Sequence, residues 1–409
     1  MHRSMGRMTL TLGAALIASG AMGAPCAGTW HGVWSAAPMA VAGDDPLKPA
    51  DLADATLRQT VKLTGGATRM RIRLSNLMGT APLRLDHIRL SVAPASGAAA
   101  VDPARMRAVS FGGGDAVVIP AGADYLSDPI ALDAPAGTVL SISLHSPEAP
   151  AGITSHPGAR TTTRLVPGNE ADRPALTGGR TMEHWYFVAG VEGEGCGGAI
   201  VALGDSITDG HGATTDGDDR WTDRLAARLQ ATGGDAPAIL NLGIGGNRVL
   251  LDGLGPNALA RFDRDVVAQP GARAVIVLEG INDLGTLTRD HPVSPAEHAA
   301  LVRRLTEAYA QIVARAHAHG IKAIGATITP DGGSTYYHPD AANEADRQAV
   351  NAWIRAPGHF DSVVDFDAAL RDPADASRLR SDYDSGDHLH PNPQGYRRMG
   401  EVVPLALLR

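Results

Sequence analysis

Apolar and polar residues alternate with a period of two through much of the first half of the chain. Residues 69–74 alternate arginines with Met, Ile and Leu, and residues 57–63 follow the same pattern with one polar exception at Gln59. Such alternation buries one face of a strand and leaves the other face in water. The pattern therefore predicts strands here, and similar runs predict further strands at 83–92, 116–119, 139–144, 161–166 and 184–191.

Glycine- and proline-rich turns separate these runs, and none of them has the periodicity of an amphipathic helix. The sequence from residue 28 to 195 therefore predicts an all-β domain, a β-sandwich of the jelly-roll type.

A different pattern begins after Gly197-Gly198, where short apolar runs alternate with helical segments. The predicted strands are 199–203, 238–242, 274–278, 322–329 and 362–366, and the predicted helices are 221–231, 257–268, 295–319, 341–355 and 393–408. Regular β-α alternation produces a mostly parallel sheet with helices on both faces. Residues 197–409 therefore predict a second domain, of the three-layer α/β/α class.

Polar or glycine-rich clusters occur where strands of this second domain end. Ser206 follows the first strand, residues 241–248 follow the second, residues 279–283 follow the third, and residues 387–391 precede the last helix. Functional groups of a parallel sheet gather at the carboxyl ends of its strands. We therefore expect these four clusters to meet at one edge.

Composition narrows the classes of function. The 409 residues are more than one core normally contains, and a net charge of −8 with no dense basic run argues against nucleic acid as a partner. Metal-binding HExxH and CxxC patterns, a phosphate-binding P-loop and a GxSxG elbow are all missing from the sequence. We therefore expect neither a metal nor a cofactor.

The N-terminus predicts export. Basic residues precede an apolar run that ends in small residues, so residues 1–23 have the pattern of a signal peptide and the mature protein is expected in the periplasm or outside the cell, with no membrane span after the signal is removed. Cys26 and Cys196 are the only cysteines, and in an exported protein they can form one disulfide or remain two independent thiols. The oligomeric state is left open by the sequence.

The clusters contain the groups that acyl transfer needs. Ser206 can act as the nucleophile and His390 as the base, with Asp387 three residues earlier to orient the imidazole. His388 competes as the base, but the Asp387-to-His390 spacing and the Pro-Asn-Pro turn that follows favour His390. The alternative for Ser206 is a plain helix N-cap.

Three groups can donate hydrogen bonds to an oxyanion: the N–H of Ser206, the N–H of Gly246 and the side-chain amide of Asn282. Gly246 could instead belong to a tight turn, and Asn282 could cap a helix. The convergence of four clusters favours the catalytic interpretation.

Taken together, Gly204-Asp205-Ser206-Ile207-Thr208, the Gly246 loop, Gly280-Ile281-Asn282-Asp283 and Asp387-His388-Leu389-His390 resemble the four blocks of the SGNH (GDSL-type) hydrolase superfamily. The resemblance implies Ser206 as nucleophile, Gly246 and Asn282 in the oxyanion hole, and Asp387 and His390 completing the triad. Gly243 and Gly245 fit less well, because the family's oxyanion glycine is the sixth residue counted from Asn241.

More narrowly, residues 243–265 and 278–283 resemble a bacterial arylesterase and acylhydrolase subfamily found beside xylan-degrading genes. We therefore expect an exported serine esterase that removes short acyl groups, above all acetyl groups, from polysaccharide or small aryl esters. The alternatives are a glycan O-acyltransferase, a lipase- or thioesterase-type acylhydrolase, and a glycan-binding N-terminal module. Residues expected near the substrate are Arg248, Asp252, Glu279 and Tyr336.

Overall fold

The computed structural model describes residues 28–41, 43 and 45–408. In chain order its strands are β1 (Trp30–Ser35), β2 (Met39–Ala40), β3 (Ala55–Lys62), β4 (Ala67–Ser75), β5 (Leu83–Val92), β6 (Arg107–Ala108), β7 (Ala116–Ile119), β8 (Asp124–Leu126), β9 (Ile130–Ala134), β10 (Val139–Ser146), β11 (Thr154–His156), β12 (Thr163–Pro167), β13 (Arg180–Met182), β14 (Trp185–Tyr186), β15 (Val188–Glu194), β16 (Ala199–Gly204), β17 (Ala238–Gly243), β18 (Ala272–Leu278), β19 (Lys322–Ala326) and β20 (Ser362–Val364).

The helices are α1 (Ser206–Asp209), α2 (Trp221–Gln230), α3 (Ala258–Phe262), α4 (Ile281–Thr288), α5 (Pro295–Ala318), α6 (Ala341–Arg355), α7 (Phe366–Leu370) and α8 (Pro393–Val402). The predicted signal peptide and Cys26 lie outside the described residues, so export and the Cys26–Cys196 disulfide stay predictions. Among the described residues, every helix is too short or too polar to cross a membrane.

The region from β1 to β15, called here the β part, consists of antiparallel sheets. One sheet has the order β1-β15-β4-β8, with β9 also paired to β4, and a second has the order β13-β12-β3-β10-β5-β6, with β7 also paired to β5. Apolar side chains of both sheets, among them Ile72 on β4 and Ile142 on β10, belong to one buried core. The predicted all-β character is confirmed, while the jelly-roll connectivity stays a prediction.

Strand β3 is buried on both faces, whereas its alternating pattern predicts one face exposed to water. Arg58 and Thr60, predicted to face water, are buried together with Leu57 and Val61. The Arg58 guanidinium donates to Ser143 Oγ on β10 at 2.8 Å and to carbonyl oxygens of residues 99, 171 and 173, so its polar groups are paired. Loops cover the outer face of this central strand, and a buried arginine needs such partners.

The region from β16 to the C-terminus, called here the α/β part, contains a five-stranded parallel sheet of order β17-β16-β18-β19-β20. The chain adds β17 on one side of β16 and then crosses to add β18 on the other. Ligands of open parallel sheets bind at such a switch point, beyond the carboxyl ends of the strands. Ser206 follows β16 there, as the sequence predicts.

The helices also match in most places. The capping box Ser294/Glu297 starts α5 as expected, with the Ser294 N–H donating to Glu297 Oε2 at 2.8 Å. Elsewhere the structure differs from the predictions: Phe366 begins α7 instead of ending a strand, and the last helix stops at Val402 just before Pro404. The segment from Ile281 forms a helix that the patterns did not indicate.

The two parts touch along β1 and the edge strand β17. Gly32 N–H donates to Pro270 O at 2.8 Å, Thr64 Oγ1 donates to Ile239 O at 2.8 Å, and Ser35 Oγ donates to Gln269 Oε1 at 2.9 Å. The limits 28–195 and 197–409 stay predictions as domain boundaries, but the change from antiparallel to parallel pairing falls between β15 and β16.

Candidate active site

Ser206 sits in the tight turn between β16 and α1. Asp205 caps the helix, since its side chain accepts from Ile207 N–H at 2.9 Å. A Cβ atom at Gly204 would overlap Thr208, so only glycine allows the strand and the helix to approach this closely. Ser206 is thereby fixed as the first residue of α1, at the edge of the sheet.

The three residues predicted as a triad form a chain of hydrogen bonds in which His390 contacts both Ser206 and Asp387. Ser206 Oγ is 2.8 Å from His390 Nε2, and His390 Nδ1 is 2.6 Å from Asp387 Oδ2. The second oxygen, Asp387 Oδ1, accepts from the backbone N–H of Leu389 at 3.0 Å and of His390 at 2.9 Å. This is the order of nucleophile, base and orienting carboxylate that acyl transfer uses.

The electrostatics of the carboxylate suit that order. Burial alone would raise the pKa of Asp387, but the hydrogen bonds from the His390 ring and from two backbone N–H groups outweigh burial and hold this pKa well below its usual range. Asp387 therefore stays ionised and keeps the His390 ring in one orientation.

His388, the competing base, points elsewhere. Its Nδ1 lies 2.6 Å from Asp384 Oδ2, and its side chain is partly exposed. The structure therefore places His390, and not His388, against Ser206.

The glycine loop after β17 leaves one backbone donor available to an oxyanion. Gly243 N–H donates to Asn241 Oδ1 and Gly245 N–H donates to Asp209 Oδ2, each at 3.0 Å, whereas Gly246 N–H has no acceptor among the described residues. Gly246 has a φ of +71°, a conformation that favours glycine. This pattern favours Gly246 over the other two glycines.

Asn282 is buried near the start of α4, with both ends of its amide held. Its Oδ1 accepts from Tyr337 Oη at 2.7 Å, and its Nδ2 donates to Asn247 O at 2.8 Å, which leaves one N–H free to turn to a ligand. Sequence reasoning missed Tyr337, because it lies in an irregular loop 55 residues further along the chain.

A buried arginine beneath the site donates hydrogen bonds to the carboxyl ends of two neighbouring strands. Arg261 donates to Gly204 O at 2.9 Å and to Leu242 O at 2.7 Å, and it pairs with Asp265 and Glu279. Glu279, expected near the substrate, is fully buried in this network and lines neither cavity. That prediction was wrong, since the Glu279 carboxylate is turned inward to Arg261.

Two cavities open at Ser206. One, of about 730 Å³, is lined by Arg248, Asn282, Thr286, Arg289, Tyr336 and Tyr337. The other, of about 550 Å³, lies between the two parts and is lined by Met39, Val41, Met78, Arg160, Asp252 and Pro256. Ser206 and His211 line both cavities, so an ester carbonyl at Ser206 can extend its two substituents in different directions.

Two groups of histidine and aspartate are close enough to hold a metal ion, within the described residues. They are Asp86, His87 and His145 in the β part, and His211, Asp387 and His390 at the site. Hydrogen bonds account for both: His145 Nδ1 lies 2.6 Å from Asp86 Oδ1, and His390 and Asp387 pair as described above. We assign no metal to either group.

Comparison with known proteins points to one family. Residues 202–398, just under half of the chain, match the model of the GDSL-like lipase/acylhydrolase family. The match shows a hydrolase that acts on carboxylic esters. No curated protein sequence matches the chain.

Solved structures similar to the chain include a GDSL-like lipase from Bacteroides thetaiotaomicron, with 20% identity, 51% of this chain and 87% of that chain covered, and a TM-score of 0.37. A lipase/acylhydrolase from Enterococcus faecalis has 19% identity, with 50% and 92% covered and a TM-score of 0.36. A catalytic mutant of an acetylxylan esterase from Geobacillus stearothermophilus has 22% identity, with 51% and 93% covered and a TM-score of 0.39.

Proposed function

We propose that the protein is an exported serine esterase that hydrolyses short-chain carboxylic esters, acetyl esters first, through Ser206, His390 and Asp387. The observation that carries the proposal is the continuous hydrogen-bond path from Ser206 Oγ through the His390 ring to Asp387, with distances of 2.8 and 2.6 Å. Export rests on the residue 1–23 pattern alone.

The mechanism follows from these contacts. Ser206 Oγ attacks the ester carbonyl while His390 Nε2 takes its proton, and the N–H groups of Ser206, Gly246 and Asn282 hold the oxyanion. The tetrahedral intermediate collapses when His390 returns the proton to the leaving alcohol, and an acyl-enzyme remains on Ser206. A water molecule then attacks this ester while His390 takes its proton, and the carboxylic acid leaves as His390 returns that proton to Ser206 Oγ.

The lining of the larger cavity supports a polar or aryl alcohol. Arg248, Thr286 and Arg289 supply polar groups, and Tyr336 supplies an exposed ring. Sugar hydroxyls and a small aromatic ring suit this mixed lining.

A panel of esters tests the proposal. Wild type and Ser206→Ala would be assayed on 4-nitrophenyl esters of two to twelve carbons and on acetylated xylan. We expect the wild type to prefer acetate and Ser206→Ala to lose at least about 10⁴-fold in kcat, because the substitution removes the nucleophile. Unchanged turnover by the variant would refute the nucleophile, and a preference for long chains would refute the short-ester substrate.

A further inference from the structure

The segment that follows β11 brings the β part into direct contact with α1, the helix that begins at Ser206. His156 ends β11, and the turn through Pro157, Gly158 and Ala159 leads to Arg160. A Cβ atom at Gly158 would overlap the Asp209 carboxylate, and Ala159 O accepts from Arg220, whose Nε donates to Asp209 O at 2.8 Å. We call residues 156–160 the contact segment.

His156 connects the contact segment to the glycine loop. Its Nε2 lies 2.9 Å from Asp209 Oδ1 and its Nδ1 lies 2.9 Å from Ala37 O, and both partners are acceptors, so the ring is held at two ends. The other oxygen, Asp209 Oδ2, accepts from Gly245 N–H at 3.0 Å. His156 is therefore linked, through one carboxylate, to the residue next to Gly246.

The charge of this carboxylate depends on the contact segment. Burial would raise the pKa of Asp209, but the hydrogen bond and charge of His156 and the charges of Arg220 and Arg160 outweigh burial and lower it. The ionised group is then fixed between His156 and the glycine loop, with both side chains of the pair buried.

Arg160 makes a second connection, to the catalytic histidine. Arg160 Nη2 lies 2.9 Å from His211 Nδ1, and because arginine only donates, the His211 proton is placed on Nε2. The His211 ring packs on the His390 ring with centroids 4.0 Å apart, and its Nε2 is 3.9 Å from Asp387 Oδ2. Arg160 therefore holds the ring that covers His390.

Partial burial and the neighbours His390 and Arg160 favour the neutral form of His211. Burial, followed by the neighbouring His390 and Arg160, lowers the pKa of His211 to about 4, against smaller opposing effects of Asp387 and Asp209. A neutral imidazole can cover His390 without repelling the positive charge that develops there when Ser206 loses its proton.

We propose that His156 and Arg160 of the β part are positioning residues of the active site. His156 holds the glycine loop that contains Gly246 through Asp209, and Arg160 holds the His390 ring through His211. This inference rests on the proposed function. It makes the β part a component of the catalytic site rather than a separate module.

The main test is Arg160→Met, which keeps the aliphatic stem and removes the donors. The matched control is Arg84→Met, at an exposed arginine on β5. We expect Arg160→Met to lower kcat on 4-nitrophenyl acetate by about 10- to 100-fold, because small displacements of reacting groups are costly, with KM changed by less than about threefold. His156→Phe should lower kcat similarly, and His156→Gln, which can donate to Asp209, should recover part of the loss.

Two further measurements show whether a loss of activity comes from misplaced catalytic groups, from a loss of folding or from a change in substrate preference. Thermal unfolding compares each variant with Arg84→Met, and the rate at which a fluorophosphonate labels Ser206 measures nucleophile activation without any ester. Arg160→Met should label at least about tenfold more slowly while it melts within a few degrees of the control. If His156→Phe does not fold, Arg160→Met and the partial recovery by Arg160→Lys decide the matter.

The outcomes distinguish the two proposals. If the wild type is active and labelled, and Arg160→Met and His156→Phe both match Arg84→Met in kcat and labelling rate, the positioning role alone is overturned. A wild type that is neither active on esters nor labelled overturns the proposed function, and the positioning role with it.

Discussion

At the scale of single residues, the orientation of Asn282 depends on a tyrosine hydroxyl. Tyr337 Oη donates to Asn282 Oδ1 and Asn282 Nδ2 donates to Asn247 O, so both ends of the amide are fixed. Without the tyrosine hydroxyl, only Asn247 O holds the buried amide in this orientation. Tyr337 thus helps to determine which end of Asn282 faces the cavity.

Tyr337→Phe keeps the ring and removes the hydroxyl. We expect kcat for an acetyl ester to fall by about tenfold with little change in KM, which is less than the roughly 10²–10³-fold cost of losing an oxyanion donor outright. Tyr125→Phe is the control, since this exposed tyrosine on β8 lines neither cavity. Equal kcat in the two variants would show that the Tyr337 hydroxyl has no such role.

Sequence reasoning found the residues that stand in short local motifs. Ser206, Asn282 and the Asp387–His390 pair each follow a strand or precede a helix, so the pattern of elements was enough to bring them together. Tyr337 and Arg160 act across 55 and 51 residues of chain from loops without periodicity. Nothing local in the sequence marks such long-range contacts.

At the scale of elements, the ends of β16 and β18 and the start of α4 bring the carboxyl groups of Asp205, Glu279 and Asp283 close to one another. Burial raises the pKa of Asp205 to about 7 and that of Asp283 to about 6, and burial together with Asp205 raises the pKa of Glu279. Arg261 already pairs with Asp265 and Glu279, so it cannot balance all of the negative charge that these buried groups would carry. Packing these elements together therefore costs the least free energy when some of these carboxyl groups are protonated.

Stability should depend on pH accordingly. An Asp205 whose pKa is raised on folding from 3.8 to about 7 binds a proton more tightly in the folded state, so its contribution is complete below about pH 4 and is lost as the pH rises through about 7. Asp205→Asn keeps the capping oxygen and cannot titrate. The free energy of unfolding should therefore fall less in Asp205→Asn than in the wild type between pH 5 and 8. We expect the difference between the two falls to be about a few kcal/mol.

Thermal and urea unfolding at both pH values measure this difference. Exposed Asp235→Asn is the control, which should follow the wild type. Parallel loss of stability in Asp205→Asn and the wild type would contradict the assignment of the pH dependence to the buried carboxyl group.

Periodicity predicted elements well where one face of an element is wet, and less well elsewhere. Strand β5 has the predicted limits, as does helix α6. Strand β3 is buried on both faces, because loops from elsewhere in the chain supply partners for Arg58. Phe366 is apolar and was included in a strand, yet the cap at Asp365 starts α7 there.

At the scale of the whole molecule, the change of pattern at residues 197–198 correctly separated antiparallel from parallel pairing. What the sequence did not show is how the β part reaches the site. Met39, Val41 and Met78 line the cavity opposite the α/β part, and His156 and Arg160 contact α1 and the residue after Gly210. Such contacts depend on how the two parts pack, which no periodicity encodes.

The identity of the nucleophile is the central claim, and one measurement tests it directly. The full-length protein would be treated with a fluorophosphonate, and the modified residue mapped by peptide mass spectrometry while the remaining esterase activity is followed. We predict one adduct, on Ser206, in proportion to the activity lost, and labelling at least about 10²-fold slower in His390→Ala because the base is missing. An adduct on another residue, or esterase activity that survives complete labelling of Ser206, would contradict the account.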